Sequence, residues 1–382
     1  MDFNLSEEQR LLLDSASRYV RERCDLESRR QAVREADGFS RRHWQHFADQ
    51  GWLALTLPEA AGGMGLGMAD AIVLMEALGR GLICEPLIDS SILCGDLIAG
   101  APEQGGLNAL LADIGSGTAL AALAHVELDG RSEFDTPVTC TAEPDGDGWR
   151  LQGTKHRVFY GSSASHLIVS AQVSGEMGYS LFVVAAGADG ITLDNFPLID
   201  GTRAADIHFD QVPVSAPARL YNGQAAAKAM DRALNRAIVA ASAAALGSME
   251  AVMDMTADYL KTRQQYGKPL SSFQALTHRM ADILVETEQA RSMLYAALAA
   301  LDQDDSTEQN RQVSAAKALI AQAGMWVTGQ GIQLHGGIGV TEEYAVGHHY
   351  KALQVYHLRF GDSDFHLERC ARLIDTGAMP GH

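Results

Sequence analysis

The chain has 382 residues, of which 47% are hydrophobic and 20% are charged, so we expect an ordinary globular protein with two or three lobes. Its formal net charge of −18 argues against nucleic acid and anionic membrane surfaces as partners, because both select for patches of Lys and Arg. The five cysteines form no Cys-x-x-Cys pair, which argues against a metal site. The sequence has neither a signal-peptide pattern nor an uninterrupted apolar run of about 18 residues, so we expect a cytoplasmic protein without a membrane span.

Helical periodicity dominates the first part of the chain. Ser6 and Gln9 have the spacing of a capping box, and the residues that follow are apolar at helical intervals. Further helices are predicted over about 40–50 and 68–81, each bounded by residues that stop helices. We therefore predict an N-terminal α-helical domain over residues 1–116.

The pattern changes near Gly117, where short runs of alternating apolar and polar residues begin. One such run covers 180–184, and turn-forming clusters such as 145–148 interrupt the pattern between runs. Alternation of this kind, interrupted by turns, is typical of antiparallel strands. It predicts a compact β-barrel or sandwich domain over residues 117–222, which is a usual domain size.

Long helical patterns return at about residue 224. The third of them, about 307–334, is expected to start at a capping box formed by Ser306 and Gln309. Long helices joined by short turns are typical of an antiparallel four-helix bundle. We predict such a bundle over residues 223–382, and hence an α+β protein with a sheet domain between two helical domains.

The polar stretch over 263–274 lies where the first two long helices must turn. Gly267 and Pro269 are expected to end the first helix, and Ser271 or Ser272 to cap the second. On spacing alone, the stretch is a polar turn between two helices. Alternatively, a guanidinium group, an aromatic ring and side-chain amides at one turn suit a phosphorylated ligand that carries a flat heterocycle.

Two motifs resemble one family. Arg-x-x-Tyr/Phe-Gly-x-Pro-Leu-x-x-x-Gln, from Arg263 to Gln274, resembles a signature of the acyl-CoA dehydrogenase family of flavoproteins. The segment Gln-Leu-His-Gly-Gly-Ile-Gly, from Gln333 to Gly339, resembles the family's signature of a Gln shortly before Gly-Gly-x-Gly, although its glycines also suit a helix C-cap. The resemblance implies FAD bound across a subunit interface, with contacts from Arg263, Gln265, Tyr266, Gln274, Gln333, Gly336 and Gly337.

The predicted sheet domain matches the family only in part. Val126 replaces a hydroxyl residue of the family's flavin-binding strand end, and the family's Trp-Ile-Thr/Ser-Asn corresponds to Arg-Val-Phe-Tyr at 157–160. Phe159 is still able to cover a ring, and Arg157 to bond a flavin carbonyl or a phosphate. The positions that the resemblance carries over as cofactor contacts are Glu127, Ser132, Arg157, Val158 and Phe159.

The catalytic base of the family is not where the resemblance places it. Members transfer a hydride from the β-carbon of an acyl thioester to flavin while a carboxylate removes the α-proton. Most carry a Glu at the position of Phe360, and a minority carry it in the region that corresponds to 234–238, which has no carboxylate. Asp362 is the nearest acid to the usual position, but capping the last helix explains it equally well, in competition with Asp364.

Several further segments resemble the small subunit of pimeloyl-CoA dehydrogenases, namely 75–80, 276–279 and 360–362. That type, like the steroid side-chain dehydrogenases, pairs two unlike chains. The leading hypothesis is therefore an FAD-dependent acyl-CoA dehydrogenase subunit that takes part in α,β-desaturation of an acyl-CoA and passes electrons to electron-transfer flavoprotein, as a homotetramer or an α2β2 heterotetramer. The alternatives are a self-sufficient homotetramer with Asp362 or another acid as base, a non-catalytic partner that completes an FAD site, and a flavin-free structural paralogue.

Overall fold

The N-terminal part of the chain is helical, as predicted. The computed structural model describes residues 4–102 and 106–377. Helix α1 begins with the expected capping box, in which Gln9 N donates to Ser6 Oγ and Ser6 N donates to Gln9 Oε1, both at 3.1 Å. A π-helical segment at Ile88–Cys94 leads into α5. The helices are α1 (Glu7–Arg23), α2 (Leu26–Ala32), α3 (Arg41–Asp49), α4 (Met68–Arg80), α5 (Gly95–Ala99) and α6 (Leu107–Gly115).

The middle of the chain forms the predicted sheet domain. Its strands are β1 (Ala121–Ala124), β2 (Thr141–Asp145), β3 (Gly148–Phe159), β4 (His166–Val173), β5 (Ser180–Ala185), β6 (Ile191–Pro197), β7 (Arg203–Val214) and β8 (Arg219–Asn222). They join in the order β6-β7-β3-β2-β4-β5-β8, with β1 added to β4 in parallel. Alternate side chains of these strands, such as Leu151, Phe182 and Phe209, share one apolar core.

The last part of the chain forms the predicted helical bundle. Its elements are α7 (Gly223–Thr262), β9 (Gln264–Gln265), β10 (Lys268–Pro269), α8 (Gln274–Leu301), α9 (Ser306–His335), α10 (Ala345–Leu358) and α11 (Ser363–Gly377). Helix α9 packs against α8, α10 and α11. Helix α7 is long and apolar enough to cross a membrane, but 72% of its most apolar window is buried inside the protein, as in the core helix of a bundle.

The described residues fall into two compact units. One comprises the chain up to Gln31, Ile72–Ile83 and the chain from Ile238 onward, and the other comprises Ala32–Ala71 and Cys84–Ala237. Domain boundaries after residues 116 and 222 follow the changes of secondary structure, and as limits of folding units they stay a prediction.

Two predicted helix caps are wrong. Helix α8 follows Phe273 without a side-chain cap, and Ser272 Oγ instead donates to the carbonyl of Pro269 at 2.7 Å. Helix α9 is capped by Asp305, whose Oδ1 accepts from Thr307 N at 2.9 Å, and not by Ser306. A carboxylate at this position adds charge attraction for the helix N-terminus to the hydrogen bond, which a serine does not.

Helices α4 and α7 cross at a pair of glycines within the first unit. A Cβ atom on Gly247 would lie 1.9 Å from the carbonyl oxygen of Glu76, and one on Gly79 would lie 2.0 Å from that of Ala244. Because both obstacles are backbone atoms, no side-chain rotation relieves the clash. Glycine at these positions therefore sets how closely the two helices approach.

We expect Gly247→Ala to lower the free energy of unfolding by about 3 kcal/mol or more, at the upper end of the range for overpacked cores, because the helices must separate. Gly329→Ala in α9 is the matched control, since nothing lies within 4 Å of its added Cβ and it should raise stability by about 0.5–1 kcal/mol. Urea unfolding of the two variants measures the contrast. Equal stabilities would show that the crossing is not tight.

Three buried histidines make the fold sensitive to acid. Burial lowers the pKa of His125, His349 and His366 to about 3. Each unfolded imidazole takes up a proton near pH 6.5, whereas the folded one stays neutral, so stability is present above that pH and is lost as the pH falls. With about 1.4 kcal/mol per proton and pH unit, the loss should approach about 4 kcal/mol per unit between about pH 6 and pH 5. Urea unfolding over this range checks the slope, and His349→Asn should reduce it by about one third.

Candidate functional site

The segment after α7 is a hairpin and not a simple turn. Helix α7 ends at Thr262, before the predicted stop at Gly267, and strands β9 and β10 pair with Gln265 opposite Lys268. Tyr266 and Gly267 occupy the turn with φ of 52° and 78°, the left-handed pair that a two-residue hairpin loop requires. Glycine adopts this conformation freely, whereas tyrosine does so at a cost.

The hairpin holds its polar side chains outward. The amide of Leu270 donates to the carbonyl of Arg263 at 2.9 Å and closes the hairpin. Phe273 packs beneath it, with the Tyr266 ring edge-on at 6.2 Å and Lys268 Nζ 4.3 Å from its centroid. Tyr266 is 90% exposed. The predicted contacts on this segment, which are Arg263, Gln265, Tyr266 and Gln274, are all exposed.

The second motif ends helix α9. Gly336 has φ 65° and ψ −141°, a backbone conformation that glycine adopts readily and other residues rarely adopt. Its amide donates to the carbonyls of Gln333 and Ile332. A Cβ on Gly336 or Gly337 would meet nothing within 4 Å. The protein's own packing therefore gives no reason for a missing side chain at Gly337, and the backbone there is open to close approach from outside. Gln333 is exposed beside it.

The structure brings the two motifs to the same end of the bundle. The ring of His335, next to Gly336, lies 4.6 Å from the ring of Tyr259. The carbonyl of Tyr259 accepts a hydrogen bond from Arg263 N at 2.8 Å. The guanidinium-bearing hairpin and the open glycine turn are therefore neighbours, although they are distant in the sequence.

The predicted contacts in the sheet domain are mostly engaged within the protein. The Glu127 carboxylate accepts from Lys155 Nζ at 2.6 Å, Thr139 N at 2.8 Å and Cys140 N at 3.0 Å, so it serves the core. Val158 is a buried member of the sheet core, and its side chain is not available to a ligand. Ser132 is buried, and its Oγ accepts from the amide of Phe134 at 3.2 Å.

Arg157 and Phe159 are the members of this set that stay accessible. Arg157 is exposed with φ 53°, its amide donates to Asp206 Oδ1 at 2.9 Å, and its Nη2 donates to the carbonyl of Gly130 at 2.9 Å. Its other guanidinium donors remain for a ligand, because the group carries five N–H bonds. Phe159 is half-buried.

The loop between α10 and α11 carries an aromatic side chain at the position where the resemblance places the catalytic base. Phe360 is 2% exposed with φ 61°, a strained conformation for a bulky residue. His366 Nε2 donates to its carbonyl at 2.9 Å, and the ammonium group of Lys317 donates to the carbonyls of Tyr356 at 2.9 Å and Gly361 at 3.2 Å. The loop is held firmly, but it offers no proton acceptor at position 360.

Comparison with known proteins decides the family. The family model for the acyl-CoA dehydrogenase N-terminal domain matches residues 6–105, and the model for the acyl-CoA dehydrogenase C-terminal domain matches residues 224–374. A solved structure titled as a Tcur3481-Tcur3483 steroid ACAD variant is 31% identical with a TM-score of 0.88, over 97% of this chain and 99% of that one. This chain belongs to the acyl-CoA dehydrogenase family.

Other acyl-CoA dehydrogenases agree over their full lengths. Acyl-CoA dehydrogenase FadE27 of Mycobacterium tuberculosis is 29% identical over 99% of this chain and 100% of its own. The ChsE4-ChsE5 complex from the same species contains a chain that is 26% identical, with a TM-score of 0.89 and complete coverage of both chains. The family consists of oxidoreductases that act on CH–CH bonds, and the predicted family and fold are confirmed.

Asp362 of this chain caps helix α11. Its Oδ1 accepts from Phe365 N at 2.8 Å at the start of α11, which confirms the capping interpretation. The role of Asp362 as a base stays a prediction.

We expect Asp362→Ala to lower the free energy of unfolding by about 1 kcal/mol through loss of the cap. Asp364→Ala is the control, because Asp364 is exposed and should change stability by less than about 0.5 kcal/mol. Thermal unfolding gives the difference. Turnover should fall no more in one variant than in the other, and a selective collapse of turnover in Asp362→Ala would identify it as the base.

Two buried lysines, which the sequence motifs do not point to, hold the sheet core and the loop between α10 and α11. Lys155 and Lys317 are fully buried, and each donates to several oxygen atoms. The available signal was a lysine inside an apolar run, since a buried ammonium group must find hydrogen-bond acceptors. Lys317 follows Ala315 and Ala316 on α9 and meets this criterion.

Proposed function

We propose that this chain is an FAD-dependent acyl-CoA dehydrogenase subunit that takes part in α,β-desaturation of an acyl-CoA thioester. The observation that carries the proposal is the pairing, at one end of the bundle, of the exposed Arg263–Tyr266 hairpin with the open Gly336–Gly337 turn. Both are built with left-handed backbone conformations, at Tyr266 and Gly336, that the fold must support.

The residues at this end fit half of an FAD molecule. The Arg263 guanidinium suits a pyrophosphate, and the Tyr266 ring offers a face for a flat heterocycle. The amides of Gln265, Gln274 and Gln333 both donate and accept, as the edges of such a ring require. When bound, FAD supplies the acceptor for the substrate hydride. The residues of this chain bind and orient it.

An exposed half-site requires a second subunit for the other half. The face of α8 supports this, because Leu284 and Val285 are 47% and 54% exposed, and Trp326 on α9 is 38% exposed. Exposed large apolar side chains of this kind are typical of subunit contacts. Two of the similar solved structures are named as pairs, Tcur3481-Tcur3483 and ChsE4-ChsE5, which favours an α2β2 tetramer with a dissimilar chain over a homotetramer.

A second candidate is that this chain is the non-catalytic member of the pair. Phe360 cannot accept the α-proton, and the Glu127 carboxylate and the Val158 side chain are committed to the core. On this reading, the other chain supplies the carboxylate, whose pKa rises when the acyl group excludes water, and this chain lends Arg263 and its glycine turn. The flavin-free alternative leaves the exposed arginine and tyrosine of the hairpin without a purpose. In both FAD-dependent candidates, electrons pass to electron-transfer flavoprotein in the cytoplasm.

The test is turnover of acyl-CoA thioesters, with an artificial electron acceptor, by this chain alone and by this chain co-expressed with a dissimilar acyl-CoA dehydrogenase chain. We expect the pair to be active and to carry FAD, and the isolated chain to be inactive. Full activity of the isolated chain would overturn the need for a second chain. Absence of flavin from both preparations would overturn the cofactor assignment.

A further inference from the structure

His335 occupies the point where the two halves of the proposed FAD-binding end meet. It is the last residue of α9, is 3% exposed, and precedes the open glycine turn. Its ring contacts two tyrosine rings, with centroids 4.6 Å from Tyr259 and 4.8 Å from Tyr344. Aromatic pairs at these separations attract each other beyond the area they bury.

Two hydrogen bonds fix the orientation of the imidazole. Nδ1 lies 2.7 Å from the carbonyl oxygen of Gly331, so it carries the proton and donates it. Nε2 is then unprotonated and accepts from the hydroxyl of Tyr344 at 3.1 Å. Burial lowers the pKa of His335, which favours this neutral form. The ring can therefore neither rotate nor tilt without losing a bond.

The contacts of this one ring join three segments. Tyr259 lies in the last turn of α7, and its carbonyl holds Arg263 N at 2.8 Å where the hairpin begins. Gly336 follows His335 directly, and Tyr344 immediately precedes α10. Movement of the imidazole would shift the hairpin relative to the glycine turn, since each is one short step from the ring.

We propose that His335 is a positioning residue that aligns the Arg263 hairpin with the Gly336–Gly337 turn for binding of the FAD molecule. The inference rests on the proposed function. His335 is buried, so it acts through its neighbours and not by touching the cofactor. Binding of one dinucleotide by two separate segments depends on their spacing, and misplacement of one segment weakens the contacts that both must make at once.

Three substitutions separate the contributions of the ring. His335→Phe keeps an aromatic ring and removes both hydrogen bonds. His335→Asn retains a donor near the Nδ1 position for Gly331, and His335→Gln retains an acceptor near the Nε2 position for Tyr344. Tyr344→Phe, which loses only the hydroxyl, is a mild variant that tests the same arrangement if the others fail to fold.

The experiment measures the Kd for FAD of the co-expressed pair after flavin removal, by quenching of flavin fluorescence. We expect Kd to rise about ten-fold or more in His335→Phe, less in the Asn and Gln variants, and about three-fold in Tyr344→Phe. The kcat at saturating FAD and the KM for acyl-CoA should change little, a separation that general destabilisation would not produce. His349→Asn is the control, because His349 is equally buried and bonded to Ser248 at 2.7 Å, and its Kd should match wild type.

The outcomes are distinguishable. A wild-type pair that binds FAD, with all His335 and Tyr344 variants binding equally tightly, would overturn the inference and leave the proposed function intact. A rise of Kd in His349→Asn equal to that in His335→Phe would also overturn it, since the effect would then follow stability alone. A wild-type pair that binds no FAD would overturn the proposed function first, before any variant is compared.

Discussion

Replacement of Arg263 by alanine is expected to weaken FAD binding by the co-expressed pair by about 10- to 100-fold. Hydrogen bonds to a charged group are worth about 1.5–3 kcal/mol, and each 1.4 kcal/mol is a factor of ten in Kd. The effect should fall on binding, because Arg263 is exposed at the start of the hairpin and its side chain has no core to support. Equilibrium titration of the flavin-free pair with FAD gives the change.

Two controls show whether the loss belongs to the guanidinium group. Lys261→Ala removes a neighbouring cation that is 68% exposed at its side chain, and it should leave Kd close to wild type. Arg263→Lys keeps the charge but loses the planar fork, so it should recover only part of the affinity. If Lys261→Ala weakened binding as much as Arg263→Ala, the loss would reflect net charge and not a phosphate contact.

The largest effect on stability is expected from Lys155→Met in the sheet core. Lys155 Nζ donates to Glu127 Oε1 at 2.6 Å, to Ser170 Oγ at 2.8 Å and to the carbonyl of His125 at 3.2 Å, and the side chain is fully buried. Removing one partner of a buried ion pair leaves the other charge without compensation, and this costs about 3–5 kcal/mol. Urea unfolding should show a loss of that size.

A matched double variant isolates the ion pair. Lys155→Met combined with Glu127→Gln removes both charges, so it should be more stable than Lys155→Met alone. Burial acts to raise the pKa of Glu127, but the hydrogen bond and charge of Lys155, together with hydrogen bonds from Thr139 and Cys140, hold the pKa below its usual value. The stabilisation is therefore present above the unfolded pKa of Glu, about 4.3, and disappears as the pH falls through the folded value. A double variant no more stable than the single one would contradict this account.

The order of helical, sheet and helical regions was predictable because each has a strong local period. The apolar residues of α8 recur at helical spacing, and the strands from β2 to β7 alternate between turns. An apolar residue in the helical pattern of α8 is not always buried, however. Ile283 and Leu294 are buried, whereas Leu284 is 47% exposed. An apolar pattern alone does not distinguish a helix face that packs within its own chain from one that packs against another chain.

The hairpin after α7 and the cap of α9 were mispredicted for local reasons. Strands of two residues are too short to produce a period, so Gln264 and Lys268 read as turn residues. Asp305 and Ser306 are both good caps and adjacent, and hydrogen bonds alone decide between them. In both cases the residue types were correct and the position was wrong.

The candidate site was less accessible from sequence, because its decisive contacts join distant segments. Glu127 was assigned to the cofactor from a motif, while its partner Lys155 lies on β3, 28 residues further along the chain. The stack of His335 with Tyr259 and Tyr344 brings together three segments that no spacing rule connects. Residues whose role is to hold others in place become visible only once the fold has brought them together.

The FAD content of the purified pair shows whether this chain provides half of a flavin site. The co-expressed pair, carrying wild-type or Arg263→Ala copies of this chain, is purified and its bound flavin is quantified after denaturation. We expect the wild-type pair to retain FAD and the Arg263→Ala pair to lose most of it. A colourless wild-type pair, or equal FAD in the two pairs, would contradict the claim that this chain provides half of a flavin site.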